Sequence, residues 1–294
     1  MTAAPSDDLA RPRRLDKWLA DGGAGSHAEI AALLASGRVA VGGVVEHRGS
    51  RLVIPAEAGV TIDGAVVEAR RPQVYALLHK PAGYLTTLAD PKGRRTVAAL
   101  LPPEWRVGVV GRLDRPTTGA LLVTDDGDLN NLLTSPDSHV WKRYRLTVVG
   151  ELEPGDPRLQ QLRDGVVFQG TRSRPARCGV VEGASLPGRD GTRLGVLWLE
   201  ISEGRFRQVR KMATQVGFKV VRLHREAIGP LPLGDLAEGA WRMLTDAEVE
   251  ALYAVAGGRE APATRAWAAL LAQWEAGALE AVDAGCFARC VKHG

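Results

Sequence analysis

"GRLDRPTTGALLVTDDG", residues 111–127, sets one carboxylate, Asp114, between Arg112 and Arg115 and then runs straight into an apolar segment. The Pro-Thr-Thr-Gly that follows reads as loop, and residues 119–124 as a strand. Asp126-Gly127 reads as a turn, with Asp128 as the cap of a helix over 127–134. Asp114 is then either a reactive group held by its neighbours or ordinary turn chemistry.

Working outward, "VYALLHKPAGYLTTLADPKGRRTVAALLP" is an apolar β-rich run that ends at a Lys-Pro and Gly turn cluster, followed by a basic loop and a short helix. Further strands are expected at 107–113, 143–149 and 195–201, with helices near 157–163 and 205–216. Strands and helices mix without a regular βαβ rhythm. That predicts an α+β domain with a largely antiparallel sheet.

Upstream lies a smaller unit. Leu15, Trp18 and Leu19 fall at helical spacing, glycines at 22, 23 and 25 end that helix, and Ser26 can cap a second one carrying Ile30, Leu33 and Leu34. Gly37 stops it, and "RVAVGGVVEH" alternates around Gly42-Gly43 as a tight hairpin. The expected organisation is a frayed N-terminus at 1–12, a two-helix and small-sheet domain at 13–72, an α+β domain at 73–256, and a helical extension at 257–294. In that extension Trp267, Leu270, Leu271 and Trp274 share one face.

A chain of 294 residues, 45% hydrophobic and 24% charged, can bury more than one core, and its net charge of +4 suits a polyanionic partner without requiring one. Three cysteines are too few for a disulfide framework, and the first 14 residues lack the apolar run of a signal peptide. No stretch reaches the roughly 20 apolar residues of a membrane span. The expectation is a cytoplasmic monomer with no membrane partner.

Candidate chemistry is sparse. Asp125, Asp126 and Asp128 do not make a calcium loop, which needs a longer run ending in a bidentate Glu. Cys286, Cys290 and His293 want a fourth zinc ligand, and His79 and His224 have no nucleophile arranged beside them. In "EGRFRQVRKMATQVGF", residues 203–218, Val209, Met212 and Val216 form a buried stripe that keeps Arg210 and Lys211 near the sheet. Such a cation needs an anion, and Asp114 and a phosphate are both possible. Tyr144 shares a strand face with Leu146 and Val148, as a core tyrosine with its hydroxyl at the rim would.

Residues 13 to about 63 resemble the S4-like RNA-binding module, through "RLDKWL", the Ser26 helix start and the "GRVAVGG" hairpin. Where that family usually follows the Ser with arginines, this chain has His27 and Ala28. Arg14, Lys17, Arg38 and Arg48 remain to track phosphates. "GRLDRPTTGALLVTDDG", "KRYRLTVVG", "EGRFRQVRKM" and "RLHREAIGPLPLG", in that order, resemble the ribosomal RNA pseudouridine synthase family over residues 13 to about 252. The resemblance implies that Asp114 is the catalytic residue, that Tyr144 stacks on the target base and that Arg210 pairs with the carboxylate. It further implies that Arg112 displaces the base, and that Arg205, Arg207 and Lys211 contact RNA. No cofactor or metal is implied, and the partner would be ribosomal RNA or a ribosomal precursor particle. Pro116, "GALLVTDDG" in place of the usual "GLLLLTNDG", and Phe206 depart from the family pattern. A noncatalytic RNA-binding assembly factor is the main rival, and metal-dependent hydrolysis at residues 125–128 a distant one.

Overall fold

The computed structural model describes residues 13–53, 58–67, 73–135, 138–188 and 191–258, which form two compact units parting between Gln73 and Val74. The frayed segment expected at 1–12 lies outside the described residues. So do residues 259–294, with the apolar face of Trp267 to Trp274, Cys286, Cys290 and His293.

In the first unit Leu15, Trp18 and Leu19 are the buried side of α1 (Leu15–Asp21). Ser26 caps α2 (His27–Ala35) reciprocally: its Oγ accepts from the Glu29 N–H at 3.4 Å, and Glu29 Oε2 accepts from the Ser26 N–H at 2.7 Å. Strands β1 (Val39–Val41) and β2 (Val44–Val45) turn at Gly42 and Gly43, whose φ values of 59° and 81° are the left-handed pair a primed hairpin turn demands. With β3 (Val60–Ile62) and β4 (Ala65–Val66) they form a sheet of order β2-β1-β3-β4. Leu15, Leu19, Ile30 and Val39 fill the space between helices and sheet.

The second unit is built on one large sheet. Its main strands are β5 (Tyr75–Lys80), β7 (Thr118–Thr124), β8 (Lys142–Val149), β9 (Arg177–Val180), β10 (Arg193–Ile201), β11 (Val220–Ile228) and β12 (Trp241–Met243), with β6 (Gly108–Val110) beside β7. The order is β9-β10-β8-β11-β7-β5-β12, and every neighbouring pair is antiparallel except β11 with β7. Two antiparallel half-sheets therefore meet at one short parallel seam, where His224 lies opposite Thr118 and Arg225 opposite Gly119.

Each half-sheet has its own core. Helices α4 (Pro157–Asp164) and α5 (Gln208–Gln215) cover one half, packing Leu159, Leu162, Met212 and Ala213 on Leu146, Leu197 and Leu199. On the other half, α3 (Gly127–Thr134) and α6 (Asp246–Val255) cover Leu77, Ala120 and Leu122, while Val97, Leu101 and Val107 cover Leu78, Leu121 and Val123 from the opposite face. A strand buried on both faces must be apolar at every position. This is why "GALLV" shows no alternation, and every residue from Gly119 to Thr124 is buried.

Two local expectations are corrected. The cap of α3 is Asp126, not Asp128: Asp126 Oδ1 accepts from the Asp128 and Leu129 N–H groups at 3.0 and 3.1 Å. Asp126 is buried, and its Oδ2 also takes the hydroxyls of Tyr75, at 2.6 Å, and Tyr253. Those tyrosines fix the carboxylate inside the core, so the helix starts from it. Helix α5 begins at Gln208 rather than 205, because Arg207 adopts a left-handed φ of 54° that no α-helix continues through.

Gly119 is required at the seam. Its φ is 112°, and a Cβ there would sit 2.2 Å from the Arg225 carbonyl oxygen and 2.6 Å from its nitrogen. Gly119→Ala is expected to lower stability by roughly 3 kcal/mol or more, at the diagnostic end of single-substitution effects. Gly127→Ala, where a Cβ meets nothing within 4 Å, should leave stability nearly unchanged. Calorimetric melting of the two variants checks the pair, and equal Tm values would refute the seam argument.

Candidate active site

Asp114 sits on the loop that crosses between the two cores. Val110, before it, is buried in one core and Leu113 in the other. The loop is tied by its backbone: the Thr117 N–H donates to the Asp114 carbonyl at 2.9 Å, and the Gly83 N–H to the Arg115 carbonyl at 2.8 Å. Thr86 Oγ1 donates to the Leu113 carbonyl at 2.7 Å and accepts from the Leu113 N–H at 3.2 Å.

Beneath the loop lies Lys80, the last residue of β5, with no exposed surface. Its Nζ donates to the carbonyls of Pro81 and Thr117 at 2.9 Å and reaches those of Asp114 and Arg115 at 3.4 Å. Burial lowers its pKa to about 8, against the pull of the Asp114 and Glu238 carboxylates. An ammonium is thus the clamp that gathers the loop's carbonyls. Sequence reading missed it, although a Lys closing an apolar strand just before Pro was the available signal.

The Asp114 side chain is one-fifth exposed and opens into a cleft of about 1380 Å³. Arg207 Nη1 lies 3.5 Å and Arg210 Nε 3.7 Å from Asp114 Oδ2. Arg210 also donates from Nη2 to Thr117 Oγ1 at 3.5 Å. Burial lowers the Arg210 pKa, and Asp114 opposes that lowering without reversing it. Arg207 is the left-handed residue that precedes α5, and Arg210 stands in the helix's first turn.

Tyr144, near the start of β8, lines the same cleft and is 8% exposed. Arg112 and Arg205 line it as well, Arg112 exposed and Arg205 stacked at 4.1 Å on Phe168. Lys211 does not; its Nζ lies 4.8 Å from the ring centre of Phe206, which is 72% exposed on the cleft wall. The cations on these walls outnumber the three acids, Asp90, Asp114 and Glu203. Lys142, Arg174 and Arg225 belong to that excess and were not read from the sequence. For Arg225 the signal was alternation, since it shares the Leu223 face of β11.

Arg14, Lys17, Arg38 and Arg48 belong to the first unit. Arg14 pairs with Asp16 at 2.6 Å, Arg38 forks onto Asp63, and Arg48 reaches Glu46 at 3.4 Å. The conspicuous acids at 125–128 are structural where their bonds are seen: Asp125 accepts from the Val74 N–H at 2.8 Å and Asp126 caps α3. His79 and His224 meet edge to face at 5.3 Å, and His224 Nδ1 is hydrogen-bonded to Thr118 Oγ1 at 2.8 Å.

A cleft walled by cations, with one carboxylate on a clamped loop and an aromatic ring beside it, fits RNA chemistry on an extruded base. Comparison with known proteins agrees. A family model described as RNA pseudouridylate synthase matches residues 74–215. The ribosomal small subunit pseudouridine synthase A of Yersinia pestis is 37% identical over 246 residues, 82% of this chain and 98% of that protein. The ribosomal large subunit pseudouridine synthase B of Bacillus subtilis is 35% identical over 246 residues, 83% of this chain and 96% of its own length. A crystal structure of a pseudouridylate synthase superposes with a TM-score of 0.54 at 29% identity, covering 81% of this chain and 99% of that one. With relatives this similar over nearly their whole length, the chain belongs to the RNA pseudouridylate synthase family of isomerases.

Proposed function

We propose that this protein converts a specific uridine of ribosomal RNA to pseudouridine, with Asp114 as the catalytic carboxylate. The observation that carries this reading is Asp114 itself, on a loop clamped by a buried lysine, flanked by two guanidinium groups and facing Tyr144's cleft. The names of the relatives, small- and large-subunit enzymes alike, support ribosomal RNA as the substrate.

The isomerisation breaks the glycosidic bond, turns the freed base and joins its carbon 5 to the ribose; carbon 5 then loses its proton and the freed ring nitrogen gains one. It transfers no electrons and no phosphate, so one ionised carboxylate beside the sugar and base supplies the reactive group. The target uridine has to leave its helix to reach a cleft of this kind. Arg112, exposed at the mouth, can fill the vacated stack with its flat guanidinium, and Tyr144 can hold the extruded uracil by its ring. Arg210 positions Asp114, while Arg205 and Arg207 meet the RNA backbone, with Lys211 contributing charge from behind Phe206.

The first unit acts as an S4-like RNA-binding module through Arg14, Lys17, Arg38 and Arg48. The carboxylate partners of Arg14, Arg38 and Arg48 do not oppose this. Exposed ion pairs are worth only about 0–1 kcal/mol, so a phosphate can replace Asp16 or Asp63 at little cost. Among the described residues no helix is long and apolar enough to cross a membrane. The protein works as a cytoplasmic monomer on ribosomal RNA or a precursor particle.

Pseudouridine mapping of both ribosomal RNAs, with and without the gene, tests the assignment and identifies the uridine. Complementation with Asp114→Asn should leave that uridine unmodified, with a rate at least about 1,000-fold below wild type and RNA affinity within about threefold. Retained modification sinks the catalytic role. Arg210→Ala should lower kcat by about 100-fold and hardly change KM, as loss of a group that acts on the carboxylate demands. A defect confined to KM would make Arg210 an RNA-binding residue instead.

A further inference from the structure

Several cationic groups in the cleft make no ion pair with Asp114, and Arg225 is the most buried of them. Arg225, at the parallel seam, is 4% exposed; its Nε donates to the Ala120 carbonyl at 2.6 Å, and its Nη2 has no hydrogen-bond partner among the described residues. It lies opposite Tyr144 in the sheet and lines the cleft, as do Lys142, two residues before Tyr144, and Arg174. Arg174 Nη1 lies 3.2 Å from His139 Nδ1, which supplies no negative charge.

A buried guanidinium with a free N–H is costly unless something anionic or carbonyl-bearing completes it. The cleft's acids are engaged elsewhere. Asp90 is held by Arg94, Asp114 lies against Arg207 and Arg210, and Glu203 accepts from the Arg174 backbone N–H and the Gln208 side chain. Lys142 shows the consequence: burial, with Arg225 and Arg174 nearby, pushes its ammonium down to about 8, and no carboxylate raises it. A neutral uracil carbonyl could satisfy the Arg225 N–H but would leave three cations uncompensated. A phosphate oxyanion answers all of them.

We propose that Lys142, Arg174 and Arg225 form a subsite for one RNA phosphodiester next to the extruded nucleotide, separate from the arginines that hold Asp114. The proposal rests on RNA being the substrate. Gripping the backbone beside Tyr144 fixes the ribose relative to Asp114, so the subsite acts on positioning as well as affinity.

The test uses the full chain and two probes. The first is equilibrium binding of uridine 5′-monophosphate, uridine 3′-monophosphate and uridine. One monophosphate should bind at least fivefold more tightly than uridine, and the difference should vanish in Lys142→Gln and in Arg174→Gln. Lys142→Arg should restore it. These half-buried positions avoid the folding risk of changing Arg225. Equal binding of all three compounds by the wild type, including no binding at all, would overturn the subsite, as would a preference that survives both substitutions. The second probe is a synthetic RNA carrying the mapped uridine, with a neutral methylphosphonate on its 5′ or 3′ side. One replacement should weaken the wild type about tenfold and Lys142→Gln no more than twofold; equal losses in both proteins refute the contact. If no ribosomal RNA is modified, the function proposed above fails, while the mononucleotide comparison still decides the phosphate subsite.

Discussion

The ammonium of Lys80 is the contact on which the site depends. A carboxylate on a loop is only as well placed as the loop, and this loop spans two cores. Lys80 ties the loop from below, its Nζ donating to the carbonyls of Pro81 and Thr117 and reaching those of Asp114 and Arg115. Its charge could not be kept out of water without those carbonyls and the nearby carboxylates, and the carbonyls would lack a donor without it. The seam supplies the other half of the constraint. β7 and β11 can lie side by side only because Gly119 offers no Cβ to the Arg225 backbone. Immediately before that contact the chain must turn, and Asp114 is carried on the turn.

Much of this was legible in the sequence where one physical rule acted alone. Apolar spacing and glycine stops placed α1, α2 and the first hairpin, and the unbroken apolar run placed β7. Where two rules competed, sequence reading erred. Asp126 and Asp128 are both plausible caps by type and position; the choice was made by Tyr75 and Tyr253, one from β5 and one from α6, which no local pattern contains. Lys80 and Arg225 were hidden for a related reason. Each is a buried cation on a strand, and a linear pattern does not show which distant carbonyls make such burial tolerable. The trio of Asp114, Tyr144 and Arg210 came from ordered motifs, and the cleft brings all three to one cavity.

The charges in the cleft divide by task. Arg207 and Arg210 have an internal anion, Asp114, within 4 Å. Among the described residues, the charged groups of Lys142, Arg174 and Arg225 have no anion within that distance. A net charge of +4 over the chain would not by itself indicate a nucleic-acid partner; its concentration on the walls of one cleft is the stronger argument.

Arg207 shows what this arrangement costs the backbone. A left-handed φ of 54° would suit glycine, and a long side chain there is held at an expense on the order of 1 kcal/mol. The conformation starts α5 sharply at Gln208, and Arg207 and Arg210 both lie within 4 Å of Asp114. Glycine would relieve the strain and remove one of the two cations beside Asp114. The strain is therefore the consequence of needing both a sharp helix start and a guanidinium at one position, and it falls on the residue that faces the carboxylate.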